Sequence, residues 1–295
     1  IPDSSCYLFP VVILYISASV VIAGNSTISI DSIVSGYFKP KQIADMNPMD
    51  DAGYYSSISE NGRKLSAVDY LTGKNVRSLI DLDNVKGTKI KKIAGYMFDG
   101  VGKRILIWEE RKPVYRRSFT TEYYVYDIKR NYLEPLSEKG GQRNAKFSPD
   151  GRSVAFCRDN NIYIKRLDFG SELEVTTDGA INSVINGTTD WVYEEEFEET
   201  GAFEWSPDSQ SLAYLKFDEK NVSVFSFTKF GAYRLDKKEP VFYPGSYSYK
   251  YPSAGGENSK VSLMVYQLQS RSSKKLNIPV AEDGYIPKIM FTKRN

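Results

Sequence analysis

Downstream of about Gly53 the apolar residues come in short runs bounded by Gly, Asn, Asp and Ser, and no long stretch repeats with the 3.6-residue period of a helix. Segments 105–108, 123–128, 153–156, 162–167, 211–215, 222–227 and 261–268 are rich in Tyr, Val, Ile and Phe, residues that fit a pleated, half-buried surface. The pattern predicts an all-β fold.

A repeat narrows the architecture. Phe147-Ser-Pro-Asp-Gly-Arg-Ser-Val-Ala-Phe156 and Trp205-Ser-Pro-Asp-Ser-Gln-Ser-Leu-Ala-Tyr214 correspond position for position: an aromatic, a Ser-Pro-Asp turn, polar residues, then an apolar strand. Weaker copies begin at Ile58 and Met97. Pro presets the backbone angle of such a turn, and Asp and Gly tolerate the positions that follow. Further strand pairs around polar turns follow the copies, as at Tyr124–Leu133 and Val265–Leu276. About four strands in a unit of roughly 40 to 50 residues is the signature of a β-propeller blade. The spacing is irregular, which implies insertions, and Ile286-Pro-Lys-Ile-Met-Phe-Thr292 reads as the opening of a further repeat. The expectation is the N-terminal part, about four blades, of a larger β-propeller.

The first residues follow a different pattern. Residues 6–24 carry no charge and end in small residues, Ser17, Ala18, Ser19, Ala23 and Gly24, so that residues 1–24 read as an apolar signal peptide or a membrane anchor. Export, to a periplasmic or outer-envelope location, is the expectation on either reading. Residues 25–52 then form an N-terminal arm and 53–295 the partial propeller.

Composition removes several chemistries. The 39 Lys and Arg against 37 Asp and Glu leave a net charge of +2, too balanced for a polybasic nucleic-acid binder. There is no His, which excludes a Ser-His-Asp triad and His-ligated zinc within this chain. Two cysteines, Cys6 and Cys157, make neither a metal site nor a disulfide framework. No Gly-x-Ser-x-Gly nucleophile elbow occurs either. No catalytic residue, metal or other cofactor is expected in this sequence, and the chain by itself is expected to hydrolyse nothing.

The candidate chemistry lies in Asp190-Trp-Val-Tyr-Glu-Glu-Glu-Phe197, followed by Glu198 and Glu199. An acidic run is most often a solvated surface segment. Here Trp191, Val192, Tyr193 and Phe197 flank the carboxylates and can anchor the backbone, holding glutamates close together so that a cation relieves their repulsion. Such a cluster suits an ammonium group.

This motif resembles the double-Glu motif of the dipeptidyl peptidase IV family of the prolyl oligopeptidase clan. The similarity extends through Asp159-Asn-Asn-Ile-Tyr-Ile164, Trp205-Ser-Pro-Asp208 and Tyr251-Pro-Ser-Ala-Gly-Gly-Glu-Asn258, covers about Gly36 to Asn295, and is greatest to the bacterial, Bacteroides-type branch. The resemblance implies an exported serine exopeptidase that releases N-terminal dipeptides with Pro or Ala second, in which an eight-bladed propeller caps an α/β-hydrolase domain absent from this sequence. It implies that Glu195 and Glu196 bind the substrate's α-ammonium and that Arg116 contacts its first carbonyl, with Arg117 the competitor for that place. It implies as partners a peptide N-terminus, the C-terminal hydrolase domain and a second copy of the chain docked through an arm at 222–254, with no nucleic acid. The rival reading is a non-catalytic, TolB-like envelope propeller that binds a protein or peptide.

Overall fold

The computed structural model describes residues 28–40, 46–230, 244–281 and 284–292. The chain divides into residues 1–44 and 45–295. Among its described residues the first unit contains one short helix, α1 (Ile30–Val34), closed at its start by a reciprocal pair of bonds between Ser29 and Ser32. The apolar stretch 6–24 lies outside the described residues. Among the described residues no helix is long and apolar enough to cross a membrane.

The second unit holds four consecutive propeller blades. The first is a meander of Asn47–Pro48, Tyr54–Ile58, Lys64–Asp69 and Asn75–Asp81. The second runs Gly95–Phe98, Arg104–Trp108, Tyr123–Asp127 and Tyr132–Pro135, with Lys86–Gly87 parallel along its outer edge. The third is Arg143–Phe147, Ser153–Arg158, Asn161–Arg166 and Ser171–Glu174. In the fourth, Ser211–Asp218 pairs on one side with both Val184–Asn186 and Phe203–Trp205 and on the other with Lys260–Gln267, which Ser272–Lys275 flanks. Each strand expected from the sequence is present, its ends displaced by at most three residues.

The two-residue period of a strand builds the core between blades. Ile105 and Ile107 pack toward the first blade with Leu65 and Ile80, while Leu106, between them in sequence, packs toward the third with Val154 and Phe156. The third blade repeats the device: Val154 and Phe156 face back, and Ala155 and Cys157 face forward onto Leu212 and Tyr214. Central strands are therefore apolar on both faces. Cys157 is a free, buried thiol in that layer, pushed up to about 12 by burial. The far face of the fourth blade, Leu215 and Phe217, is covered by Ile278, Val280, Ile286 and Ile289. The segment expected to open a further repeat thus packs as irregular chain, without a strand partner among the described residues.

One turn recurs in all four blades. In the third, the Ser148 hydroxyl donates to Asp150 (2.6 Å) and accepts from the Ser153 N–H (3.0 Å), and Asp150 accepts the Arg152 N–H (3.0 Å). In the fourth, Ser206, Asp208, Gln210 and Ser211 make the same three bonds, and in the first Ser59, Asn61, Arg63 and Lys64 make them. In the second, Asp99 substitutes for the serine and accepts the N–H groups of Lys103 and Arg104. These side chains satisfy turn N–H groups that the ladder cannot reach.

The turns also touch one another. Arg104 donates to the Gly151 carbonyl (2.8 Å), and the Asp150 N–H donates to the Ser209 hydroxyl (3.1 Å), which explains a serine held at φ +61° where the third blade has glycine. Gly151 itself has φ +68°, and a Cβ there would lie 2.7 Å from Val101 Cγ2. Gly73 has a similar φ of +65° with open space around it. Gly151→Ala is therefore expected to cost about 2 kcal/mol or more and Gly73→Ala about 1 kcal/mol, the difference being the clash with the neighbouring blade. Urea denaturation of the two variants checks this; equal losses would remove the packing contribution.

Candidate functional site

Helix α2 (Trp191–Glu196) carries the acidic motif and sits between the first two strands of the fourth blade. Six residues make too short a helix to be stable alone, so its stability comes from its ends and its packing. The Asp190 side chain caps the N-terminus by accepting the Tyr193 N–H (2.9 Å), and its second oxygen accepts from the Ser259 hydroxyl (2.7 Å). Tyr193 is buried edge-on against Phe217, and its hydroxyl accepts the Ile286 N–H (2.8 Å). The Thr189 hydroxyl donates to the Glu199 carbonyl (2.8 Å) and draws the two ends of the loop together.

The three glutamates then have three fates. Glu194 is 0% exposed, and its Oε1 accepts the backbone N–H groups of both Arg117 and Ser118 at 2.7 Å. Glu195 is 14% exposed at its side chain and pairs with Arg116, Nε to Oε2 at 3.2 Å. Glu196 is exposed and has no hydrogen-bond or ion-pair partner among the described residues. A loop of the second blade is thereby bonded to a helix of the fourth, and Arg116 is brought to Glu195 from far along the chain.

The two arginines separate in the same way. Arg117 donates Nη1 to the Glu194 carbonyl (3.1 Å) and Nη2 to Glu198 (2.7 Å), so its fork is occupied within the protein. Arg116, with its side chain 72% exposed, has one polar contact among the described residues, that with Glu195, and keeps its other donors free of them. Glu198 and Glu199 are engaged elsewhere, the latter with Lys288 (3.2 Å).

A two-stranded ribbon, Val224–Lys229 with Gly245–Lys250, stands beside this site. It matches the arm expected at 222–254, whose turn lies outside the described residues. Phe225 opposes Tyr249 and Phe227 opposes Tyr247, placing four aromatics on one face. The row continues to the site: Tyr251 lies 5.9 Å from Phe225 and 4.4 Å from Trp191 of α2, and Tyr249 lies 6.1 Å from Tyr115. Phe225 and Phe227 nevertheless remain 49% and 45% exposed.

Behind the glutamates lies a second acidic pair. Burial raises the Asp190 carboxyl, opposed by its bonds from Ser259 and from the backbone N–H groups of α2. Burial, and then the proximity of Asp190, pushes Glu219 up to about 7. Burial with the nearby Glu219 raises the Tyr115 phenol as well. Sequence pattern alone gives a role to neither Glu194 nor Glu219. Glu219 has no motif around it, and Glu194 is indistinguishable in type from its two neighbours. Among the described residues no group of three His, Cys, Asp or Glu side chains is arranged to hold a metal ion.

Comparison with known proteins gives this geometry a context. Residues 99–295 match the family described as the dipeptidyl peptidase IV (DPP IV) N-terminal region. The crystal structure of Porphyromonas gingivalis dipeptidyl peptidase 4 superposes with a TM-score of 0.83 at 40% identity, covering 91% of this chain and 37% of that one. A probable dipeptidyl-aminopeptidase B of Phaeosphaeria nodorum is 29% identical over 88% of this chain and 31% of its own length. A protein of Schizosaccharomyces pombe named putative dipeptidyl aminopeptidase C2E11.08 is likewise 29% identical, over 93% of this chain and 36% of its own length. The chain thus spans about a third of the length of these relatives.

Glu219 gives the second unit a pH dependence of definite sign. Its folded-state value of about 7 lies above the ordinary 4.5, so its contribution to stability is full below pH 4.5 and is lost as the pH rises through 7, where the native state must hold a buried carboxylate near Asp190. Glu219→Gln is expected to change stability little near pH 4.5 and to raise it by about 2–3 kcal/mol at about pH 8. Denaturant unfolding of both proteins at the two pH values checks this, and a pH-independent difference would contradict it.

Proposed function

The chain belongs to the dipeptidyl peptidase IV family, and on that premise we propose that it is the substrate-recognition and gating part of a serine exopeptidase that releases N-terminal X-Pro and X-Ala dipeptides. Glu195 and Glu196 bind the substrate's α-ammonium, and Arg116 orients its first carbonyl. The triad that cuts belongs to a C-terminal α/β-hydrolase domain of the full-length protein. The observation that carries the reading is the juxtaposition of Arg116 with Glu195, next to a Glu196 without a partner among the described residues, on a helix anchored from behind by Glu194.

The charges suit the two ends of the group to be recognised. An ammonium arriving at Glu196 finds an acceptor that no cation among the described residues already occupies, and Glu195 adds a second. In return Arg116 can turn its remaining donors toward a carbonyl oxygen. Selection for a free N-terminus then needs no pocket closed by shape, since a blocked amine presents no charge to the carboxylates. The exposed aromatic face of the ribbon fits the proposal that the protein is a homodimer docked through the 222–254 arm, because an isolated ribbon with one apolar face calls for a cover. Deleting residues 229–243 from the full-length protein is expected to shift it toward monomer in sedimentation, and an unchanged assembly would count against the arm.

The size of the recognition effect depends on burial. An exposed ion pair is worth about 0.2–1 kcal/mol, whereas breaking a desolvated one costs about 3–5 kcal/mol. With the catalytic domain closing over the site, Glu195→Gln or Glu196→Gln is expected to lower kcat/KM on a Gly-Pro amide about a hundredfold, equivalent to about 3 kcal/mol. Glu198 and Glu199, tied to Arg117 and Lys288, serve as controls with small effects. Acetylating the substrate amine should cost the wild type heavily and the Gln variants much less. Equal losses in wild type and variants would show that carboxylates and amine act independently.

A further inference from the structure

Glu194 accepts two N–H groups with Oε1, while its Oε2 is buried and has no hydrogen-bond partner among the described residues. The Ser118 hydroxyl, on the residue whose N–H reaches Oε1, is in the same condition. So are the Nε and Nη2 atoms of Arg143. Gln142, before Arg143, bridges Thr121, three residues past Ser118, and Glu194 is among the groups that act on Arg143, so two donors, one carboxylate oxygen and one hydroxyl are buried near one another, complementary in character, and bridging water can satisfy such a set.

The backbone places Arg143 between the loop that carries Ser118 and the end of α2. It opens the first strand of the third blade opposite Cys157, and the ladder slips immediately after it, between Arg143 and Lys146. Asn144, inside the slip, is held at φ +53°, and its side chain donates to the carbonyl of Thr200, just beyond α2 (2.6 Å). Bulges of this kind redirect side chains at the ends of blades and next to sites. The ionisable groups that act on Arg143 are Cys157, Glu194, Tyr115 and Tyr123. Burial raises Cys157 and Tyr123 to about 12, and Tyr115 is raised as well, so these three are neutral near pH 7. That leaves Glu194 as the carboxylate nearest a guanidinium whose Nε and Nη2 are buried.

We propose that Arg143 is a positioning residue: its guanidinium is the interior counter-charge of the Glu194 carboxylate and, through Glu194, keeps the loop bearing Arg116 in register with the helix bearing Glu195 and Glu196. The pairing rests on the geometry above, and its consequence for substrate binding rests on the functional reading of the preceding section. Without the cation, a carboxylate stays buried beside one unfilled oxygen, and the bonds from Arg117 and Ser118 must hold it alone. The resulting looseness falls on the ammonium site rather than on the chemistry of bond cleavage.

In the full-length enzyme, Arg143→Met is expected to raise KM for a Gly-Pro amide about tenfold or more while kcat stays within about threefold. Arg143→Lys, which keeps the charge, should restore most of the lost affinity. Adding Glu194→Gln to Arg143→Met should recover at least half of the lost Tm, because the uncompensated charge is gone while an acceptor oxygen remains. An unchanged KM in Arg143→Met would overturn the positioning role, and a double variant no more stable than Arg143→Met would overturn the pairing. If Arg143→Met does not fold, folding of the double variant supports the pairing and its failure to fold overturns it. Full activity in Glu195→Gln and Glu196→Gln would sink the functional reading instead, while the thermal cycle, which needs no substrate, still decides the pairing.

Discussion

The Glu194 carboxylate, withdrawn from solvent and accepting two backbone N–H groups from another blade, is the interaction on which the site depends. A hydrogen bond to an ionised acceptor is worth about 1.5–3 kcal/mol, and leaving such an acceptor buried and unmet costs more. The visible ion pair of Arg116 with Glu195 involves a largely exposed arginine and belongs to the class worth about 0.2–1 kcal/mol. The salt bridge therefore does not hold the site in shape. The shape is held from behind, and the salt bridge reports it.

That arrangement is possible because the blades give it a rigid floor. Each central strand is apolar on both faces, so neighbouring blades share a continuous layer of Leu, Ile, Val and aromatic side chains, and the turns of the second, third and fourth blades interlock at Arg104, Asp150, Gly151 and Ser209. The loop at 115–118 and helix α2 are insertions on that floor, with little apolar burial of their own apart from Tyr193. Polar links hold them together, and polar links are specific in direction. Residues distant in sequence are brought within hydrogen-bonding distance, and the outer glutamates are turned away to Arg117 and Lys288.

The aromatic row from Phe227 through Tyr249 and Tyr251 to Trp191 ties the ribbon to the same helix. Ring contacts of this kind contribute about 0.5–1.5 kcal/mol each beyond their buried area, enough in series for the ribbon's position to bear on the first turn of α2. Burial of Asp190 and Glu219 beneath that turn adds the opposite tendency, since two acidic groups near one another are most comfortable when one is protonated. The site thus combines a firm anchor at Glu194 with a buried titratable pair beneath the start of α2.

Read without coordinates, the chain already disclosed its architecture, because blade formation is a local matter: the alternation of apolar positions, the Ser-Pro-Asp turns at 148–150 and 206–208, and the aromatic ahead of each are periodic signals within one repeat. The acidic motif and the two-stranded arm were legible for the same reason. The sequence could not say which of three adjacent glutamates faces inward, since the phase of a six-residue helix is set by what caps and covers it, here Asp190, Ser259 and Ile286. It could not choose between Arg116 and Arg117, because the choice is made by a carboxylate more than seventy residues away. Nor could it single out Arg143 or Glu219, whose importance lies in burial and in the company they keep. Local periodicity determined the fold, and long-range desolvation, which no local pattern encodes, decided the roles of the charged residues.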